Sequence, residues 1–457
     1  MLLLRFVVLC VLLATTVVSA LAASPEAAAP PPEKKIEFIE YDFANGLHVI
    51  LHQNHSAPVI ATYVLYHVGS KDERPDRTGF AHFFEHLMFE GSENIPRGRV
   101  DKLISGAGGN LNASTSFDFT DYHFNLPSNQ LALWIESERM LHAKVDETGV
   151  ETQRQVVKEE RRREVENRPY GTLFENVAAM VFEGSPYEWT PIGSAQYIDQ
   201  AKIEEFRDFY KRYYVPNNAT LVVTGDFQIE EAKRLIENYF GDIPRGAEIP
   251  RPEVTLAPQT GPKLKVIEKE NTPLPASLHA WRGPTETSPD AYALDLVTNI
   301  LATGRSSRLY QRLVNQEQAA VEIQAFPSLL EKAGMIGVFA MGNRGVSLSR
   351  LDELVKEEIG KVREHGVTRE EFEKARNQKE MELASAFGSM QSRARNLGQY
   401  HVFHDDTNLI NTELAKYLSV TREDLQRVAK EYLNPEAVNI LHYPVPEKNE
   451  KPEDKTG

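Results

Sequence analysis

Cysteine is all but missing from this 457-residue chain, in which Cys10 is the only one. It falls in an N-terminal stretch (residues 1–22) that reads as a secretory signal peptide. Arg5 precedes an apolar run from Phe6 to Val18, and an A-x-A-like cleavage site follows at Ala22. The chain left after cleavage has no thiol, which excludes disulfides and cysteine ligation of a metal. An exported protein without disulfides fits a bacterial periplasm, with secretion as the alternative. The leader kept as an anchor is a second reading, but its apolar run is short for a membrane span. No later run is long enough to cross, so no membrane is expected after cleavage. Basic charge is also short: 51 Lys and Arg against 66 Asp and Glu leave a formal −15. That excludes the basic face nucleic acid needs, and it suits a substrate with some basic residues.

Against these absences stands one pentapeptide, His82-Phe83-Phe84-Glu85-His86. It is H-x-x-E-H, the inverse of the H-E-x-x-H zinc-protease motif. On a helix, residues four apart share a face about 6 Å apart along the axis, so both imidazoles reach one metal ion. Glu85 points the same way and is placed to take a proton from metal-bound water. The bland alternative is a chance match in a chain with 13 histidines. The neighbourhood argues otherwise. Phe80, Phe83, Phe84, Leu87, Met88 and Phe89 imply a buried helix, where two His and one Glu need something to pair with.

Roughly 435 residues after cleavage suggest two or more domains. Residues 23–35 form a Pro/Ala-rich tether. From residue 36 to 245 the pattern is α+β. Strands are expected over 35–43, 47–53, 59–68, 110–115, 118–126 and 219–225, with an Asn45-Gly46 turn. Helices are expected over 79–90, 98–106, 129–143, 153–167, 203–214 and 230–240, the third with Leu131, Trp134, Ile135, Glu138 and Leu141 in phase. Residues 246–262 read as a linker, and 263–445 repeat a similar order without the metal motif. A polar tail, 446–457, is expected to be disordered.

A catalytic zinc takes three protein ligands, so one more is needed. Glu160, i+4 from Val156 and i+3 from Val157, is expected on the inward face of its helix. Glu164, a turn later, is expected to support it from behind. Glu159, Arg161, Arg162 and Arg163 read as a solvated face.

H-x-x-E-H followed by a glutamate in a V-V-x-E-E helix resembles the M16 (pitrilysin/insulinase-like) zinc metallopeptidases. The likeness is to the half-length bacterial type, related to mitochondrial processing peptidase. Other segments agree: Gly108-Gly109-Asn110-Leu111-Asn112-Ala113-Ser114-Thr115, Tyr213-Tyr214-Val215-Pro216-Asn217-Asn218, and Gly304-Arg305-Ser306-Ser307-Arg308-Leu309-Tyr310. The resemblance implies two homologous α+β domains with antiparallel-rich sheets, together half of a clamshell. It implies one zinc per chain on His82, His86 and Glu160, with Glu85 activating a water. Asn110, Asn112, Ala113 and Ser114 would bind an extended peptide at a sheet edge. Where members often carry a second acidic residue, this chain has Gln153, so an assisting carboxylate does not transfer to that position. The implied activity is an endopeptidase for small or extended peptides, paired with a second copy or a sister M16-like subunit. A non-catalytic structural or peptide-binding subunit is the alternative, and retention of all four residues argues against it.

Overall fold

The structure, a computed structural model, describes residues 35–127 and 129–446; the expected leader, most of the tether and the tail beyond Pro446 lie outside them. Six strands make the first sheet: β1 (Ile39–Asp42), β2 (His48–Gln53), β3 (Ile60–Tyr66), β4 (Asn110–Thr115), β5 (Thr120–Leu126) and β6 (Ala219–Gly225). Their order is β1-β2-β6-β3-β5-β4, so β4 is an edge. The second sheet has β7 (Lys263–Val266), β8 (Ala276–Gly283), β9 (Ala320–Leu329), β10 (Gly334–Gly342) and β11 (Asn439–Tyr443), in the order β7-β11-β8-β10-β9. Both sheets contain one parallel pair, β2/β6 and β7/β11, and otherwise antiparallel neighbours. From β2 onward the two orders correspond strand for strand, so the α+β unit is duplicated.

The central strands are apolar throughout because both faces are covered. β3 and β6 are buried along their whole length. One face of the first sheet packs under the motif helix (Phe80–Leu87) and its neighbours, around Val49, Val64, Leu221 and Val223. The other face is covered from the second half. Ala394 and Leu397 of the Met390–His404 helix pack on Ile50, Tyr63, Leu65 and Val222. Gly398 permits the close approach, since a Cβ there would stand 3.0 Å from the Tyr63 ring. The exchange is reciprocal: Leu173, Val177 and Val181 of the Leu173–Val181 helix cover Leu278, Ala280 and Leu441 of the second sheet. Each half thus lends the other a helix, burying apolar surface worth roughly 1.5–3 kcal/mol per large side chain.

Three expectations need correction. The 129–142 helix buries Leu133, Ile135, Glu136, Arg139 and Met140, while Leu141 is 41 % exposed. Arg139 is enclosed because its guanidinium pairs with Glu136 and lies against Phe89, Tyr122 and Phe124. The expected 153–167 helix starts earlier, at Glu147, where the Asp146 side chain accepts the Gly149 N–H, and it ends in a π-turn over Arg162–Glu166. Residues 244–262 have no helix or strand, as expected of a linker, yet they are strapped to the first half. Gly246 N–H donates to Asn217 Oδ1 at 2.7 Å, and Arg251 bonds the His67 carbonyl and Asn218.

Candidate metal centre

The motif helix begins where a bend would otherwise leave open N–H groups. Gly79 precedes it at φ 98°, a left-handed conformation that favours glycine. The Glu73 carboxylate then accepts the N–H groups of Gly79 and Ala81 at 2.9 and 2.8 Å, capping the helix start. Burial pushes the Glu73 carboxyl up to about 8, against the pull of those two bonds. Phe80, Phe83 and Phe84 stack on Phe206 and Phe209 of the following Ile203–Tyr213 helix, which fixes the roll of the motif helix.

That roll turns His82 and His86 toward Glu160 on the Glu147–Arg161 helix. His82 Nε2 and His86 Nε2 are 3.3 Å apart, and Glu160 Oε2 lies 3.7 and 3.2 Å from them. Ligands bound about 2.0–2.1 Å from a tetrahedral zinc stand roughly 3.4 Å from one another. The donor set therefore fits zinc in both chemistry and size. Glu160 Oε2 is also enclosed without a well-aligned hydrogen-bond partner, and a cation between it and the two ring nitrogens would satisfy all three. Burial, then the neighbouring His86, pulls His82 down to about 4, so it is neutral and ready to ligate. At His86 burial also lowers, but the bond to Glu160 together with the charges of Glu160 and Glu85 outweighs it and the net shift is upward. Glu160 is held below the usual carboxylate range, first by its bond to His86.

Glu85 lies beside this group and not in it. Its Oε2 accepts the Thr115 hydroxyl at 2.6 Å, at the end of β4. Burial raises its pKa and the Thr115 bond partly offsets that. β4 pairs with β5 on one side only, leaving its other edge open. Asn110 and Asn112 are exposed, Ala113 packs into the first core, and Ser114 bonds Asp121.

The sequence missed Thr115 as the partner of Glu85 although it closes the same strand. Alternation put Ala113 and Thr115 on one face, and that was the available signal. The inward face of the Glu160 helix is carried by Val157, which is buried, whereas Val156 is 44 % exposed. Glu164 does not back Glu160: it lies in the π-turn and pairs with Arg163 and Arg168. Arg161 is not solvated but bonds Glu175 and the Gly193 carbonyl. Gln153 donates to Glu90 Oε1 at 2.5 Å, and Arg97 also holds that carboxylate. No described helix is long and apolar enough to cross a membrane.

Comparison with known proteins gives two family matches: "Insulinase (Peptidase family M16)" over residues 48–193 and "Peptidase M16 inactive domain" over residues 200–379. The chain is 31 % identical to the zinc protease PqqE of Helicobacter pylori over 395 residues, 85 % of this chain and 88 % of that one. A crystal structure of a protease from Helicobacter pylori superposes with a TM-score of 0.85 at 27 % identity, covering 90 % of this chain and all (100 %) of that one. The periplasmic protease PqqL from Escherichia coli shares the fold, with a TM-score of 0.72 at 20 % identity over 91 % of this chain. This chain spans only 48 % of PqqL's length.

Proposed function

The chain belongs to peptidase family M16, a family of zinc metallopeptidases, and from that premise we propose that it is a zinc-dependent endopeptidase acting on small or extended, unfolded peptides. One observation carries the reading: three donor atoms from His82, His86 and Glu160 stand at zinc-ligand spacing, with Glu85 beside them and an open strand edge adjoining. When bound, zinc supplies Lewis-acid polarisation of the peptide carbonyl and lowers the pKa of a water. His82, His86 and Glu160 would hold the ion. Glu85 receives the proton: burial makes it a stronger base than an ordinary glutamate, and Thr115 occupies Oε2, leaving Oε1 for the transfer. The peptide lies along β4 as an added strand, held by main-chain hydrogen bonds that tolerate many sequences. Asn110 and Asn112 line its exposed face, with Ala113 and Ser114 in the same strand.

A chamber closed around a peptide needs more than one such chain. The E. coli neighbour PqqL is about twice as long, and we assign the missing half to a second copy of this chain, with a sister M16 subunit as the other arrangement. Export to the periplasm is supported by the leader-like pattern of residues 1–22 and by the neighbour PqqL, a periplasmic protease. A non-catalytic subunit has the "inactive domain" match in its favour, but that match covers residues 200–379 and none of the four site residues. The test is Glu85→Gln. It is expected to keep zinc and to lower cleavage of a quenched peptide by about 10²–10⁴-fold. Unchanged cleavage would sink the mechanism.

A further inference from the structure

Among the described residues, one other group of metal-type donors converges. Glu40 on β1, His48 on β2 and His401 on the Met390–His404 helix each offer an atom within 4.8 Å of the others. His48 is held as ligating histidines are. Its Nδ1 bonds Asp42 Oδ1 at 2.8 Å, which leaves Nε2 facing inward, 3.4 Å from Glu40 Oε2. That Nε2 is enclosed and has no hydrogen-bond partner. A carboxylate fixing one ring nitrogen while the other faces a second carboxylate and a second imidazole is the support that metal-ligating histidines receive. Glu40 is itself held by the Thr407 hydroxyl at 2.6 Å.

His401 lies flat on His48, with ring centroids 3.4 Å apart and planes within 5°. Parallel rings put their lone pairs in parallel planes, so a shared ion must turn one ring out of the stack. His401 is the ring free to turn, since no side-chain hydrogen bond among the described residues holds it.

We propose that Glu40, His48 and His401 form a second site for an imidazole-preferring divalent ion of the zinc, nickel or copper class. The ion would tie the first sheet to the helix that the second half lends it. The test is equilibrium dialysis of the full chain against zinc. Two zinc ions per chain are expected, and one after His82→Ala with His86→Ala silences the first cluster. In that background His401→Ala is expected to remove the remaining zinc, and Asp42→Asn to weaken it about 10–100-fold. Zinc should raise the melting temperature of the His82→Ala, His86→Ala chain and not that of its His401→Ala derivative. Glu40→Gln, which keeps an amide oxygen to accept the Thr407 hydroxyl, provides a second loss of affinity with little effect on folding. Absence of zinc from the His82→Ala, His86→Ala chain, or retained zinc indifferent to His401→Ala and Glu40→Gln, would overturn the proposal.

Discussion

The two halves share a strand order and differ in what lies between equivalent strands. In the first half, the helix between β3 and β4 carries His82, Glu85 and His86. In the second, the helix between β8 and β9 (Asp290–Ala302) buries Leu294, Val297 and Leu301 and has no histidine. The edge strands differ too. β4 leaves Asn110 and Asn112 exposed beside an unpaired edge, whereas β9 carries Pro327, which cannot donate to an added strand. The second half buries His279, but with a fixed partner. His279 Nε2 and His442 Nε2 both bond Asp352, at 2.8 Å each. In the first half His82 Nε2 and His86 Nε2 face each other and a shared carboxylate. Topology therefore builds the frame twice, and three polar residues at zinc-ligand spacing give one copy its candidate site.

The sharpest way to break that contrast is to remove one histidine from each half. His82→Ala should cost the zinc held with His86 and Glu160 and reduce peptidase activity to background, with the fold retained. His279→Ala should leave the zinc count and the site intact and cost stability, about 1.5–3 kcal/mol for the lost bond to the Asp352 carboxylate. Metal analysis and a urea melt on both variants separate the two outcomes.

The seam between the halves comes next. Lys71 is enclosed and pairs with Asp72, with Asp118 and with Glu331 of the β9–β10 turn. Lys71→Met leaves Asp118 without a cation, while Glu331 keeps His67 and Lys332 and Asp72 keeps Arg251, and a loss of about 3–5 kcal/mol is expected in chemical unfolding. A near-neutral result would mean the halves are held by their exchanged helices alone.

A smaller effect is expected at Glu85. Thr115→Val removes the hydroxyl that orients it, and hydrogen bonds to charged groups contribute about 1.5–3 kcal/mol. The kcat should fall roughly tenfold to a hundredfold while KM and zinc affinity stay nearly fixed; a change in KM alone would place Thr115 in peptide binding instead.

The smallest effect is in pH dependence, and it belongs to the second half. Burial alone would raise Asp352, but the bonds from His279, His442 and Ser277 outweigh it and hold it well below the usual carboxylate range. Burial holds His279 below 6.5. Both folded-state values lie under the unfolded ones, so this stability is full above about pH 6.5 and drains away as pH falls. Each proton linked contributes a slope of about 1.4 kcal/mol per pH unit. Urea midpoints from pH 7 to pH 4 should decline, and Asp352→Asn should flatten the decline.

Much of the site was legible because its signals are local. The limits of β4 and β6 followed from alternation and from a continuous apolar run, and the pairing of His82 with His86 from helical spacing. Glu160 was reachable through Val157 alone, since Val156 faces outward. What was hidden comes from residues brought together only in the folded chain. The Glu73 cap, the Thr115 bond to Glu85 and the Glu90 bond to Gln153 join separate elements. The buried face of the 129–142 helix was misread because Arg139 and Glu136 look solvated until aromatic rings enclose them. The exchange of helices between the halves has no signature in either helix taken separately.

The central claim is that His82, His86 and Glu160 hold zinc and that their counterpart region in the second half does not. Anomalous diffraction at the zinc absorption edge, from crystals of the exported chain, tests it most directly. The account predicts a strong peak between His82 Nε2, His86 Nε2 and Glu160 Oε2, and none beside the Asp290–Ala302 helix. Zinc bound in the crystal with no peak at His82 and His86 would contradict it.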